Sequence, residues 1–245
     1  MLEVIPAIDL MGGHVVRLTQ GDFHRVRQYP WTPVELARRL ERLGFRWLHV
    51  VDLDGARTGR WTHGPVIAEI RRQTRLQIQV GGGLRTLDIL HTVRAWGIDR
   101  IVLGTRAADL DFFRQAVDLW DGRVLVALDV RGPHWVVRGW QEEVPEVDEW
   151  LKRWASLSFE GFLITDTERD GTCRGIVPDR VRFWVTRVGR PVWWAGGVGS
   201  VEDLEALAAL GLRELRGVIV GRALLDGRID IHNLNLFLQK HSSST

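Results

Sequence analysis

The sequence predicts an α/β fold, specifically a (β/α)8 TIM barrel built from two similar half-barrels. Short apolar segments typical of buried strands alternate with helical segments along the chain, at intervals of roughly 30 residues. Motifs of the first half recur in the second, and the length of 245 residues suits one barrel. We therefore expect one domain over 1–240, with half-barrels at about 1–122 and 123–240, and a polar, disordered tail at 241–245.

The expected strands are short apolar runs bounded by glycine, proline or charged residues. They lie at 4–10, 47–52, 76–80, 100–103, 123–129, 161–165, 191–195 and 217–220. A long loop at 11–31 is expected after the first strand. A hairpin around Pro133 that ends at Gly139 and Trp140 is expected after the fifth.

The expected helices fill the intervals between these strands. Thr32 as N-cap and Pro33 in the first turn mark the start of the first helix, and Gly44 ends it. A turn rich in glycine and arginine is expected at 55–60. The helices themselves are expected at 32–43, 64–73, 86–96, 110–118, 147–157, 178–187, 201–209 and 230–239.

The two halves of the chain share three motifs, spaced about 115 residues apart. The matching pairs are 79–86 with 194–200, 101–107 with 218–224, and 51–55 with 165–171. Because the copies of a half-barrel lie about 180° apart in a closed barrel, the ends of the first and fifth strands should face each other.

Asp9 and Asp129 close the first and fifth expected strands. The C-terminal end of a barrel strand is the face on which these barrels hold active sites. We interpret the two carboxylates as a facing pair that transfers protons. For either aspartate alone, a solvated or N-capping carboxylate is the commoner alternative.

Glycines follow the third, fourth, seventh and eighth expected strands. A turn without side chains exposes backbone N–H groups to an anion, and the next helix adds the positive end of its dipole. The matched sets predict two phosphate sites across one mouth, and so a small-molecule substrate with a phosphate at each end. The alternative is that these glycines only permit tight turns. They are Gly82, Gly83, Gly104, Gly196, Gly197 and Gly221.

Composition narrows the possible partners. The net charge is +2, from 33 basic and 31 acidic residues, and no block of like charge suggests nucleic acid. No apolar run approaches the roughly 18 residues of a membrane span, so no membrane partner is expected. Cys173 is the only cysteine, and the histidines show no ligand spacing. We expect a cytoplasmic protein that holds no metal.

Six motifs together resemble one family. They are Ile5–Leu10, His49–Leu53, Gly81–Arg85, Gly139–Trp140, Thr165–Thr172 and Val218–Leu224. They resemble ProFAR isomerase, the phosphoribosylformimino-aminoimidazole carboxamide ribotide isomerase family of histidine biosynthesis, over nearly all of 1–240. The sister family, the cyclase subunit of imidazole glycerol phosphate synthase, usually opens with Ile-Pro-Cys-Leu-Asp. Here Ala7 and Ile8 occupy the middle of that motif, which favours the isomerase.

The resemblance implies an Amadori rearrangement of an aminoaldose to an aminoketose, without a cofactor. It implies that Asp9 is the base and Asp129 the acid, although symmetry alone would allow the roles to be exchanged. Thr165 would hydrogen-bond near the reacting centre, unless it is an ordinary strand-end threonine. The residues expected to contact the substrate or its phosphates are Arg17, His49, Asp52, Gly82, Gly83, Arg85, Gly104, Thr105, Trp140, Asp170, Gly196, Gly197, Gly221 and Arg222.

Some alternatives stay open at this point. Asp52 could satisfy only the N–H groups of a turn, and Trp140 could be part of the core instead of stacking on the substrate. The protein could also isomerise phosphoribosylanthranilate in tryptophan biosynthesis, because Arg138 could pair with the anthranilate carboxylate. Less favoured are the cyclase and a non-catalytic phosphate-binding barrel. No apolar stripe demands a partner subunit, so a monomer is expected.

Overall fold

The structure is a computed structural model that describes residues 2–137, 142–144 and 146–242. The strands in these ranges are β1 Glu3–Met11, β2 His14–Thr19, β3 Asp22–Gln28, β4 Trp47–Asp52, β5 Gln77–Gly81, β6 Arg100–Leu103, β7 Val124–Arg131, β8 His134–Val137, β9 Glu142–Val144, β10 Gly161–Asp166, β11 Val192–Ala195 and β12 Leu215–Val220.

Helices cover the outside of the sheet. They are α1 Pro33–Arg42, α2 Leu53–Thr58, α3 Gly64–Gln73, α4 Leu87–Ala95, α5 Leu110–Leu119, α6 Val147–Ala155, α7 Pro178–Val188, α8 Val201–Ala209, α9 Arg222–Leu225 and α10 Ile231–Ser242, with a 3-10 turn at Thr105–Ala108. Thr32 caps α1 in a capping box with Glu35, as the sequence indicates. Among the described residues, none of the helices has the length and apolar character that crossing a membrane requires.

Eight parallel strands close into a barrel, which confirms the predicted (β/α)8 fold. Pairing runs from β1 through β4, β5, β6, β7, β10 and β11 to β12, and β12 pairs back with β1. All eight strands therefore end at the same mouth. β1 and β7, the first strands of the two halves, lie four positions apart around the barrel.

The expectation of an irregular loop at 11–31 is wrong. β2 and β3 form an antiparallel hairpin over His14–Gln28, here named the closing hairpin, and β2 pairs back onto β1. Gln20 and Gly21 at its tip have φ of 54° and 68°, as a two-residue hairpin turn requires. β3 is largely exposed and polar, so it lacks the apolar alternation by which strands are recognised.

Other boundaries also differ from expectation. The turn expected at 55–60 is mostly the short helix α2, because Asp52 accepts a hydrogen bond from Gly55 N and caps it. The hairpin around Pro133 is present as β7 and β8. Gly139 and Trp140 lie outside the described residues. The helix α10 extends to Ser242, and the rest of the expected tail lies beyond the described part of the chain.

Two apolar layers enclose the barrel wall. Outward-facing strand residues pack beneath the helices in the larger layer. The smaller layer fills the barrel axis and includes Ile5, Ala7, Leu125, Leu163 and Ile219. Inward and outward positions are both apolar, which is why the strands read as continuous apolar runs. The mouth lies above this layer, at the C-terminal ends of the strands.

Candidate active site

A cavity of about 330 Å³ opens at the C-terminal ends of the barrel strands. Both half-barrels contribute to its wall, and most of the residues predicted from sequence meet there. The predicted residues on the wall are Asp9, Arg17, His49, Gly82, Gly83, Arg85, Gly104, Thr105, Asp129, Thr165 and Asp170. Five described residues, Asp52, Gly196, Gly197, Gly221 and Arg222, are not part of this wall, and Trp140 lies outside the described residues.

Asp9 is held by an arginine from the closing hairpin. Arg17 donates from Nη1 to Asp9 Oδ2 at 2.8 Å and from Nη2 to Asp170 Oδ1 at 3.1 Å. Burial raises the pKa of the Asp9 carboxyl above its ordinary value, and the positive charge of Arg17 opposes that rise. Asp9 is therefore a carboxylate with increased proton affinity, which suits a base.

Asp129 and Thr165 lie side by side in the other half-barrel. The parallel register of β7 and β10 pairs Thr165 with Asp129, and both side chains line the cavity. A threonine hydroxyl can donate one hydrogen bond and accept others. The structure therefore brings Asp9 from the first half, and Asp129 and Thr165 from the second, to one cavity, as the duplication predicts.

The first rim consists of the turns Gly81–Gly83 and Gly104–Arg106. A Cβ on Gly82, whose φ is 92°, would lie 2.2 Å from the backbone oxygen of Asp52, so only glycine fits. A Cβ on Gly104 would meet no atom of the described residues within 4 Å. Arg85 and Arg106 line the cavity beside these turns. This rim combines open backbone with two guanidinium groups, which is a surface suited to a phosphate.

The second rim consists of Gly196–Gly197 and Gly221–Arg222. Its two leading glycines have φ of 93° and 97°, so the same turn is built twice. Here, however, a Cβ on Gly221 would lie 2.6 Å from Cζ of Arg17. The guanidinium that holds Asp9 thus also covers the second rim at Gly221, which explains why Gly221 is absent from the cavity wall.

The tip of the closing hairpin is fastened to the loop after β10. Gln20 N donates to the Asp170 oxygen at 3.0 Å, and Gln20 Nε2 donates to the Glu168 oxygen at 3.0 Å. Arg222 donates to Thr19 Oγ1 at 3.3 Å and to the Gly171 oxygen at 2.6 Å. Arg222 therefore ties the hairpin to the second rim in this closed arrangement.

Asp52 lies beneath the first rim and is fully buried. Its carboxylate accepts hydrogen bonds from the backbone of Gly55, Thr62 and His63 at 2.6–2.9 Å, and it contacts His63 Nδ1 at 2.8 Å. This set of contacts corresponds to the turn-satisfying alternative. His63 Nε2 in turn accepts a hydrogen bond from Gly13 N, at the base of the closing hairpin, so Asp52 supports the hairpin from below.

Sequence reasoning missed Arg106 and the support that His63 gives to the hairpin. Arg106 directly follows the predicted Gly104–Thr105 turn, so its position along the chain was an available signal. His63 had no such signal, because Asp52 and Gly13 meet it only through the fold. Within the described ranges no group of three or more histidine, cysteine or acidic residues is arranged to hold a metal ion.

Comparisons with known proteins identify the family of the chain. The family described as histidine biosynthesis protein matches residues 3–230. A relative from Xanthobacter autotrophicus is 40% identical over 93% of this chain and 94% of its own. Relatives from Aquifex aeolicus and Gloeobacter violaceus are 37% and 39% identical, over 96% and 94% of this chain and 98% and 91% of their own. All three are named 1-(5-phosphoribosyl)-5-((5-phosphoribosylamino)methylideneamino)imidazole-4-carboxamide isomerase.

Proposed function

Because the chain belongs to the histidine biosynthesis protein family, we propose that its barrel mouth carries out the isomerisation for which its relatives are named. The protein is an aldose–ketose isomerase that converts ProFAR, the bisphosphorylated compound in that name, to its aminoketose isomer in histidine biosynthesis. The observation that carries the proposal is that Asp9 and Asp129, from opposite half-barrels, line one cavity.

The chemistry needs one acid and one base. The acid protonates the ring oxygen of the aminoaldose as the ring opens, which leaves a protonated Schiff base between C1 and the amino nitrogen. The base then removes the proton from C2, and the resulting enolamine becomes the aminoketose when a proton returns to C1. We assign Asp129 as the acid and Asp9 as the base, since burial raises the proton affinity of Asp9.

Other residues of the cavity bind and orient the substrate in this proposal. Thr165 lies next to Asp129 in register and hydrogen-bonds near the reacting carbons. Gly82, Gly83, Arg85, Gly104 and Thr105 hold one phosphate at the first rim. The second phosphate is held by the second rim, which consists of Gly196, Gly197, Gly221 and Arg222. Because Arg17 covers that rim, it must move when the substrate binds, and it then contacts substrate together with Asp170.

Purified protein incubated with ProFAR tests the function directly. We expect conversion to the aminoketose, followed by absorbance or chromatography, without added metal or cofactor. If the folded protein did not convert ProFAR, the proposal would be wrong and the non-catalytic phosphate-binding barrel would replace it. Phosphoribosylanthranilate in a parallel reaction tests the bifunctional alternative, and turnover near the ProFAR rate would replace the narrower assignment.

We also propose that the protein acts as a cytoplasmic monomer. The substrate is a small phosphorylated metabolite, and each catalytic group in the proposal comes from one chain. Sedimentation velocity at the concentration of the assay measures the mass directly. A mass of 28.0 kDa is expected. A dimer whose dissociation abolished turnover would contradict the proposal.

A further inference from the structure

A chain of polar side chains runs from the partly exposed Glu160, directly before β10, through the buried Arg100 and Gln79 to His49 at the floor of the cavity. Gln79 Nε2 lies 3.0 Å from Nδ1 of His49, and Gln79 Oε1 lies 2.9 Å from Nη1 of Arg100. The remaining nitrogens of Arg100 pair with Glu160. We name Glu160, Arg100, Gln79 and His49 the floor chain. Only His49, at its end, lines the cavity.

The hydrogen bonds of the floor chain can run in one direction only. Arginine donates and cannot accept, so the Gln79 atom that faces Arg100 must be the amide oxygen. The amide NH2 of Gln79 then faces His49 and donates to Nδ1. A ring nitrogen that accepts a hydrogen bond carries no proton, so the neutral imidazole of His49 must carry its proton on Nε2.

The chain is rigid because its middle members cannot turn away. Gln79 is fully buried. Arg100 is stacked between the rings of Trp47 and Trp193, with its Cζ 4.2 Å and 4.3 Å from their centroids. The glutamine amide is therefore held in one orientation, and an amide held in this way allows only one tautomer of His49.

The imidazole of His49 also stays neutral. Its burial, followed by the positive charges of Arg17 and Arg100, lowers the pKa of His49 to about 3. Nε2 has no hydrogen-bond partner among the described residues, and the ring forms part of the cavity wall. The floor therefore presents an N–H group that donates a hydrogen bond and does not protonate what it touches.

We propose that Gln79 and Arg100 are positioning residues that hold His49 in the Nε2–H tautomer, so that it donates a hydrogen bond to an oxygen of the reacting sugar. This inference rests on the proposed isomerisation. During that reaction the oxygen on C2 changes from hydroxyl to carbonyl. A neutral N–H donor stabilises partial negative charge on such an oxygen throughout, whereas an Nδ1–H tautomer would present a lone pair that repels it.

Nitrogen-15 NMR of the histidine rings tests the tautomer in the free protein. The chain has 8 histidines, and the spectrum of His49→Gln identifies the signals that belong to His49. We expect a pyridine-like shift for Nδ1 and a pyrrole-like shift for Nε2. The reverse assignment in the wild-type protein would overturn the inference.

Substitution of Gln79 tests its control of the tautomer. In Gln79→Glu the carboxylate cannot donate, so Nδ1 should gain the proton and become pyrrole-like. Because the cavity then loses an N–H donor, kcat should fall about 10²- to 10³-fold. Gln77→Glu is the matched control, because it places the same charge on the exposed end of β5. The control should keep both the wild-type kcat and the wild-type spectrum.

Gln79→Met provides a second variant if the buried glutamate prevents folding. It keeps the side-chain length but removes the amide, so His49 should show both tautomers and kcat should fall. An unchanged tautomer and an unchanged kcat in a folded Gln79 variant would contradict the inference. Wild-type protein that fails to turn over ProFAR would instead contradict the proposed function, since the NMR assignment needs no activity.

Discussion

The first rim and the second rim carry the same turn, yet their surroundings differ. Gly82 and Gly196 have φ of 92° and 93°, and a Cβ on either would collide with the backbone oxygen of the aspartate that ends the neighbouring strand. At the first rim the space beyond Gly104 is open. At the second rim Arg17 fills the space beyond Gly221.

Because of this difference, the two rims of the duplicated barrel can have different roles. Both halves keep the same glycine turn, but only the second rim is covered by Arg17 of the closing hairpin. In the proposed reaction the first rim receives one end of the substrate, and Arg17 must move before the second rim binds the other end. We propose that closure of the hairpin over the bound substrate excludes water from the reacting carbons.

The largest effect should come from the groups that the two halves contribute equally. Asp9→Asn and Asp129→Asn should each lower kcat about 10²- to 10⁴-fold with little change in KM, because amides cannot exchange protons as carboxyls do. Steady-state kinetics measures both values. Asp118→Asn, on the exposed face of α5, is the control. If either active-site variant kept the wild-type rate, the two halves would not share the chemistry.

Asp52, beneath the first rim, and Asp166, beneath the second rim, should differ in how much they contribute to the free energy of unfolding. Asp52→Asn replaces an oxygen that accepts two backbone N–H groups by an NH2, and should lower the free energy of unfolding by about 2–3 kcal/mol. Asp166, its counterpart in the second half, pairs with the partly exposed Arg180, which also contacts Glu168.

Asp166→Asn should therefore lower the free energy of unfolding by only about 1 kcal/mol. Urea denaturation of both variants measures the difference. Equal losses of stability in Asp52→Asn and Asp166→Asn would show that the two supports are equivalent after all.

Removal of the arginine that covers the second rim should have a moderate effect. Arg17→Met loses the ion pairs to Asp9 and Asp170, so the closing hairpin should open more often and KM should rise about 10-fold. Hydrogen exchange of the backbone over 14–28 should become faster. Arg25→Met removes a charge from an exposed position of the same hairpin and should leave exchange unchanged. Unaltered exchange in Arg17→Met would show that other contacts hold the hairpin.

The smallest effect should come from adding one methyl group at each rim by a glycine-to-alanine substitution. Gly104→Ala adds a Cβ to open space, so it should raise KM less than about 10-fold and leave the hairpin closed. Gly221→Ala should displace the guanidinium of Arg17 and so speed hydrogen exchange over 14–28. If Gly104→Ala and Gly221→Ala changed hydrogen exchange over 14–28 equally, the idea that Arg17 covers only the second rim would be wrong.

Much of the fold could be predicted because its signals are local. Continuous apolar runs mark the eight barrel strands, and Thr32 with Pro33 marks the start of α1. The closing hairpin was missed because β3 packs only one edge against β2 and remains largely exposed. The short helix α2 was missed because six residues are too few for a helical period to be visible.

The part of the candidate site that the two half-barrels share could be predicted from the sequence. Asp9, Asp129 and the glycine turns occupy equivalent positions in the two halves, and a repeated motif can be seen in the sequence. The asymmetry between the rims has no such signal. Arg17 covers Gly221, which lies more than 200 residues further along the chain. Nothing in the sequence around either residue indicates that they meet.

By itself, then, the sequence determined the barrel, its duplication and the facing aspartates, because apolar periodicity and repeated turns are properties of short segments. Only the tertiary structure decided which rim is covered, that Asp52 supports a turn, and that Gln79 contacts both His49 and Arg100. The contacts of Arg17 with Gly221 and of Gln79 with Arg100 and His49 join residues of different strands and turns, whereas Asp52 binds the segment that directly follows it. The partners of Arg17 and Gln79 become neighbours only when the barrel closes, so no local pattern can indicate them.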